Sequence, residues 1–278
     1  MPRLSIVTPS LNHVQYLGAN IASLRMQTYR TWEHLVIDGG STDGTLELLR
    51  GVEDERLRWV SEADNGQAAA ITKGFAAAKG EIVTWLNADD IYLHEHVFEH
   101  VIRTFARQAE VDVVTAGGWY LDRAGNRLRE IPPPEEVSLE LLKMRDVILQ
   151  PATFLRRSVV EDIPLDNSLD YAFDWDFFIR AAGRFRIVVL NTHLAGYRLL
   201  GTNKSIVGGS RRTAELAEVT GRYLGKHCWQ YRLLKLRTRL DRSIERVPYR
   251  RLRALLSEAV SRVIVRPVWE LSGRRFMG

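Results

Sequence analysis

Cysteine is almost absent: Cys228 stands alone in 278 residues. An internal disulfide framework is therefore excluded, and the usage fits a reducing compartment. No uninterrupted apolar window of about 18 residues exists, which argues against a transmembrane helix. Arg3 is followed at once by strand-like and turn-like residues, so no signal-peptide core is expected. The chain also lacks internal repeats and low-complexity segments. After its first apolar run stands Pro9-Ser10-Leu11-Asn12-His13-Val14 rather than Gly-x-Gly-x-x-Gly, which weighs against a dinucleotide-dependent oxidoreductase. Apolar content of 45% and charged content of 26% are those of a folded protein. The length suffices for a full core and an appendage.

Acid is scarce in one place only. Residues 1–220 hold 24 Lys/Arg against 30 Asp/Glu, whereas residues 221–278 hold 15 against 4, within a net charge of +5. The basic balance belongs to the tail, which points to an anionic partner or to helices resting on an acidic body. No nucleic-acid module accompanies these basic residues, so nucleic acid is not an expected partner.

The most informative stretch is Glu81-Ile82-Val83-Thr84-Trp85, closed by Leu86-Asn87-Ala88-Asp89-Asp90. A β-branched run ending in Asn and two carboxylates reads as a buried strand with acid at its C-terminal tip. Ligands bind at such tips in open α/β sheets, and carboxylate oxygens there suit magnesium or manganese. An N-cap role for Asp90, on a helix starting near His94, is the plainer alternative. Three earlier runs repeat the pattern. Leu4–Thr8 ends at Pro9-Ser10-Leu11-Asn12, His34–Ile37 ends at Asp38-Gly39-Gly40-Ser41, and Arg56–Val60 ends at Ser61-Glu62-Ala63-Asp64. Each precedes a segment of helical period, so the first hundred residues read strand–helix four times over. The polar tips of parallel strands share one edge, and their coincidence indicates a nucleotide-type site.

Asp38 is placed to accept from a base N–H or a ribose hydroxyl, or to form an Asx-turn with Gly39. Asp64 can repeat that contact, and Lys73 is either near phosphate or solvated. Further along, Val111–Thr115 reads as a buried strand, Arg123–Asn126 as a hairpin turn, and Pro132–Pro134 as a stiff loop. Gln150–Leu155 reads as extended, Tyr171–Phe185 as an aromatic-rich helix, and Ile187–Leu190 as a strand. Asp174 and Asp176 flank Trp175; an apolar setting raises a carboxylate pKa and strengthens it as a base, although helix-dipole stabilisation also explains acids there. Arg198 and Lys204 offer cations for a diphosphate, or merely a polar loop. From about Ser210 onward the pattern is helical, broken near Pro248 and Pro267. Basic and apolar residues alternate over Tyr223–Arg239, and again around Leu252, Leu255, Leu256, Val260, Val263 and Ile264. Such helices suit an anionic membrane surface, the acidic body or a homodimer contact.

Taken together, Thr8–Asn12, Val36–Thr45, Asp64–Gln67, Lys73-Gly74, Gly80-Glu81, Leu86–Asp90, Gln150–Phe154, Asp174–Asp176 and Tyr197-Arg198 resemble the family 2 inverting glycosyltransferases of the GT-A fold. The likeness spans roughly residues 3–206. It implies an α/β fold with an open, mostly parallel sheet flanked by helices, here followed by a C-terminal helical extension. The implied division is a nucleotide-sugar-binding and catalytic domain over 1–208 and a basic amphipathic extension over 209–278. It further implies a nucleotide-sugar donor, most readily a UDP-sugar, a divalent cation (manganese or magnesium) on Asp89, a base-holding Asp38, and Asp174 as general base. Pro9, Ser10, Asn12, Asp64, Gln67, Lys73, Asn87, Ala88, Arg198 and Lys204 complete the implied donor site. The acceptor would be a glycan or lipid-linked molecule in cell-surface polysaccharide synthesis, read by residues 119–153 and the tail. The protein is expected in the cytoplasm, peripheral to the plasma membrane where the tail meets lipid. Several positions depart from the family pattern: Asn87 replaces the first acid of Asp-x-Asp, Phe173 the acid before Asp174, Leu200 a metal-binding imidazole, and Ala69 a common Asp. A nucleotide-binding scaffold with little turnover is the competing expectation.

Overall fold

A computed structural model describes residues 3–247 together with 255 and 256. Four strands, β1 (Leu4–Ser10), β2 (Trp32–Asp38), β3 (Leu57–Ser61) and β4 (Ile82–Trp85), alternate with helices α1 (Val14–Arg25), α2 (Thr45–Arg50) and α3 (Gln67–Ala77). All pair in parallel in the order β3-β2-β1-β4, so their four C-terminal tips do lie along one edge. β1 and β2 are buried at every position, which is why they read as near-continuous apolar runs.

Beyond β4 the sheet is mixed. The remaining elements are β5 (Ile91–Tyr92), α4 (Val97–Arg107), β6 (Val113–Leu121), β7 (Arg127–Ile131), α5 (Leu139–Met144), a 3-10 turn at Gln150–Ala152, β8 (Phe154–Arg156), α6 (Arg157–Asp162), α7 (Phe173–Ala182), β9 (Ile187–Arg198), α8 (Lys204–Val207), α9 (Gly209–Leu224) and α10 (Trp229–Glu245). The nine-stranded order continues β4-β8-β6-β9-β5, with β7 hairpinned onto β6. β8 pairs antiparallel with β4 and β6, β6 pairs parallel with β9, and β5 pairs antiparallel with β9.

Several expectations are corrected here. Residues 150–152 form a 3-10 turn, because Pro151 sits in its first positions and Gln150 donates its side-chain amide to the Trp85 carbonyl (2.6 Å). β6 and β9 run far past their expected ends. Gly117-Gly118 marks two register shifts within the β6–β9 pair; a Cβ on Gly118 would strike the Ala195 carbonyl. The long β9 carries Tyr197 and Arg198 back to the β4 tip. Asp90 does not cap a helix: α4 starts at Val97 after His96, and Asp90 is buried elsewhere. The second tail stretch, apart from Leu255 and Leu256, lies outside the described residues.

Helices cover both faces. On one face Trp85 stacks on Phe178 (5.9 Å, 11°) and meets Phe177 and Phe75 edge-on, which seats α7 and α3 across the end of β4. Gly74 permits this: a Cβ there would collide with Val7 of β1. The other face buries Tyr92 in ring contact with both Phe98 and Phe154. Val219 of α9 joins the Trp85–Phe178 cluster, with Leu216 and Tyr223 packed against it. α9 therefore shares the core, and α10 lies on α9 through Thr213–Asp241 (2.9 Å) and Ser210–Glu245 (2.8 Å) hydrogen bonds. Among the described residues no helix is long and apolar enough to cross a membrane.

Candidate active site

The turn after β4 is clamped from two sides. From α1, Asn20 donates its amide to the carbonyls of Asn87 (2.9 Å) and Asp90 (3.0 Å). From β9, Arg198 donates its backbone N–H to the Asp90 carboxylate (3.0 Å) and its Nε to the Asp89 carbonyl (2.9 Å). The same guanidinium reaches the carbonyls of Asp122 (3.2 Å) and Arg123 (2.9 Å) and lies over the Tyr16 ring. At 3% exposure Arg198 is a brace joining the hairpin to the turn, not an open phosphate ligand.

Within the turn, Asn87 accepts from Gln67 (2.7 Å) and donates to Asp90 (3.3 Å), while Ala88 is buried. The Asp90 carboxyl lies well above the ordinary carboxylate range, because it is buried and the Asp89 charge stands beside it. Burial raises Asp89 as well, against the pull of His13 and Arg198. Asp89 is only half-buried, and its Oδ2 receives one long bond from Asn203 (3.3 Å). It is the acid of the turn that faces outward.

Pro9 and Ser10 end β1, with Ser10 in register with Asp38 of β2. Asn12 adopts a left-handed φ of 55°, an uncommon state for a non-glycine residue. Two bonds fix it: its N–H donates to the Ser41 hydroxyl (2.7 Å) and its Oδ1 accepts from Thr42 N–H (2.8 Å). Asp38 is 0% exposed, and its carboxylate accepts from the N–H groups of Gly40 and Ser41 and the hydroxyls of Ser41 and Ser61. It shapes the loop above the sheet. Asp64 is the exposed carboxylate at this end; it accepts from Gly66 N–H (2.8 Å), and its Oδ2 lies 2.9 Å from where a Gly39 Cβ would stand. Lys73 pairs with Glu62 (2.5 Å) and Lys204 with Asp170, so each cation is engaged by a neighbouring acid.

Asp174 opens α7, whose rings cross the β4 tip. Its carboxylate accepts from Trp175 N–H (2.8 Å). Burial first, and the Asp146 charge second, push it up to about 7, against the N–H groups and Arg212. Asp176, by contrast, points into the core and anchors the helix through Arg180, Arg222 and Tyr223, each at 2.8 Å.

Four residues escaped the sequence reading. Asn20, Asp146 and Arg212 act across long separations that no local pattern shows. His13 had a readable signal, since the spacing His13-Tyr16-Asn20 puts all three on one α1 face toward the turn. Its Nδ1 is buried without a hydrogen-bond partner.

Among the described residues no cluster of three or more His, Cys, Asp or Glu forms a ready metal cage. A donor site for a hard cation is nevertheless compatible with what is present. Asp89 offers outward carboxylate oxygens, His13 an unpartnered nitrogen near it, and magnesium-type sites take one or two carboxylates with substrate phosphates and water.

The family model for glycosyl transferase family 2 matches residues 5–163, more than half of the chain, and the protein belongs to that family. It is a glycosyltransferase with a GT-A-type sheet. An uncharacterized glycosyltransferase of Nostoc sp. (strain PCC 7120) is 25% identical over 242 residues, covering 80% of this chain and 74% of that one. Another, from Mycobacterium tuberculosis, is 29% identical over 223 residues, covering 77% and 84%. In fold, the chain superposes on Staphylococcus aureus TarS 1-349 in complex with UDP-GlcNAc (TM-score 0.65, 18% identity, 100% of this chain and 93% of that one). It also superposes on the mannosyltransferase PcManGT of Pyrobaculum calidifontis in complex with GDP-Man and Mn2+ (TM-score 0.62, 15% identity, 98% and 83%).

The Asp174 environment makes one prediction independent of turnover. In a carboxyl-carbon NMR titration Asp174 should change protonation near pH 7. Asp146→Asn removes a negative neighbour and should move that midpoint down. A midpoint near 4 in the native protein would contradict the desolvated setting.

Proposed function

We propose that the protein is an inverting, metal-dependent hexosyl- or N-acetylhexosaminyltransferase. It would use a nucleotide-sugar donor, most readily a UDP-sugar, and a glycan or lipid-linked hydroxyl acceptor in cell-surface polysaccharide synthesis. One observation carries this reading: Asp174, a carboxylate held near pH 7, opens a helix packed over the strand tip whose turn presents Asp89. A base with a pKa near the operating pH combines adequate basicity with a large deprotonated fraction. Nucleotide sugars bound to TarS and PcManGT, and Mn2+ with the latter, support the donor class and cation.

Asp174 takes the proton of the acceptor hydroxyl, and the resulting oxygen attacks the anomeric carbon in one displacement. Asp64 contacts the base or ribose, while Asp38 and Asn12 fix the loop around it. A divalent cation held by Asp89 and the diphosphate would neutralise charge on the leaving group. The Arg198 brace keeps Asp89 where that charge develops.

Asp174→Asn should lower transfer about 10²-fold or more with UDP affinity unchanged, because shape persists and the proton acceptor does not. A variant retaining most of the native rate removes Asp174 from the chemistry. In calorimetry, manganese should tighten UDP binding to the native chain, and Asp89→Ala should erase that gain. Equal UDP affinity with and without manganese in the native chain would contradict metal assistance.

The acceptor side of the proposal extends to the tail. α10 exposes Arg232, Lys235, Arg239 and Arg242 beside Trp229 and Leu236, and these cations form no ion pair with a described residue. An anionic cytoplasmic membrane surface complements this face, at about 1 kcal/mol per basic residue near it. Deleting everything after Ser210 would also remove Glu215, Val219 and Arg222 from the body, so charge reversal is the cleaner test. Flotation with phosphatidylserine vesicles at low salt should be lost in the triple variant Arg232→Glu, Arg239→Glu, Arg242→Glu. Unchanged flotation, or none in the native chain, contradicts membrane docking.

A further inference from the structure

One cation of the site has no acceptor among the described residues. α9 is fixed against α7 along the face that carries Arg212, Glu215, Val219 and Arg222. A single Glu215 oxygen accepts from the N–H groups of Asp170 (3.0 Å), Tyr171 (2.7 Å) and Ala172 (3.2 Å), capping the approach to α7. Val219 enters the core, and Arg222 ties down Asp176. Arg212 lies one turn before Glu215 on this face, directed at the α7 N-terminus where Asp174 stands. Gly208 allows the close approach, since a Cβ there would stand 2.6 Å from both the Arg212 Cβ and the Tyr171 ring.

The Arg212 guanidinium is half-buried and donates to no described residue, whereas Arg198, Lys73 and Lys204 are each engaged. Burial lowers its pKa, and Tyr197 and Asp174 act in the opposite sense. Yet no ion pair closes between Arg212 and Asp174. A half-buried guanidinium with five N–H donors and no protein acceptor among the described residues is open to an anionic ligand, and it stands beside the group that must meet the acceptor hydroxyl. The wall next to it is aromatic: Tyr120 lies edge-on to Tyr197 (5.8 Å), and Arg129 sits over Tyr120 (5.1 Å).

Resting on Asp174 as the base, we propose that Arg212, Tyr197 and Tyr120 form the acceptor subsite and that the acceptor carries a phosphate or carboxylate close to the hydroxyl that is glycosylated. The rings offer a stacking surface for a sugar, and the guanidinium fork binds its anion in the plane that carboxylate and phosphate geometry favours. C-terminal residues thereby select the acceptor of an N-terminal donor site.

The test uses the full chain saturated with UDP and manganese, so that the donor site is filled. Binding of glucose 6-phosphate, glucuronate and neutral methyl glucoside is read by saturation-transfer NMR for the native chain, Arg212→Gln and Arg212→Lys. The native chain should favour at least one anionic sugar about 10-fold over the neutral one. Arg212→Gln should lose that preference and Arg212→Lys keep part of it, both with native UDP affinity, which also reports folding. Equal binding of charged and neutral sugars by the native chain overturns the proposal, as does an anionic preference surviving in Arg212→Gln. A loss of UDP affinity in both variants, with the native melting temperature kept, would place Arg212 on the donor and overturn it equally. Absence of UDP binding in the native chain would instead defeat the donor reading itself.

Discussion

The site depends on one polar clamp. Asn20 and Arg198, from opposite ends of the chain, hold the Asn87–Asp90 turn between α1 and β9. Each neutral hydrogen bond is worth about 1 kcal/mol net, but leaving a buried charge such as Arg198 unpartnered costs roughly 3–5 kcal/mol. The clamp is therefore closed in the native state or the fold suffers. Its consequence is a division of labour between adjacent carboxyls. Asp90 is buried and structural, and Asp89 is left facing the sheet edge.

A second constraint acts on Asp174, the proposed base. Desolvation raises its carboxyl pKa, but it also requires that α7 be held against its own polar N-terminus. Glu215 supplies acceptors for the N–H groups preceding the helix, and buried Asp176 is paired with Arg222 and accepts a hydrogen bond from the Tyr223 hydroxyl. The helices after residue 208 thus contribute to the setting of Asp174, although they lie outside the segment matched by the family model.

Much of the strand-tip edge was readable from the chain. β1 to β4 are continuous apolar runs because both faces of a parallel sheet are covered, and their tips announce themselves as Pro9-Ser10, Asp38, Asp64 and Asp89. Roles within those tips were less readable. Asp38 and Asp64 look alike in sequence, yet Asp38 is consumed by its own loop while Asp64 stays exposed. Arg198 looks like a phosphate cation, and burial under the hairpin makes it a brace. The side built by α7 and α9 was nearly silent. Arg212, Glu215 and Asp146 meet Asp174 or its helix only through tertiary packing, and nothing local shows that Gly117-Gly118 shifts the register of a long strand.

In the proposed mechanism, Asp174 beside the acceptor and a cation beside the diphosphate would leave room for one displacement and no covalent sugar intermediate. The stereochemistry of the product tests this most directly. Proton NMR of freshly released or transferred sugar from an α-linked nucleotide sugar should show the β-anomer coupling first. Initial appearance of the α-anomer would mean retention, and would contradict a single displacement driven by Asp174.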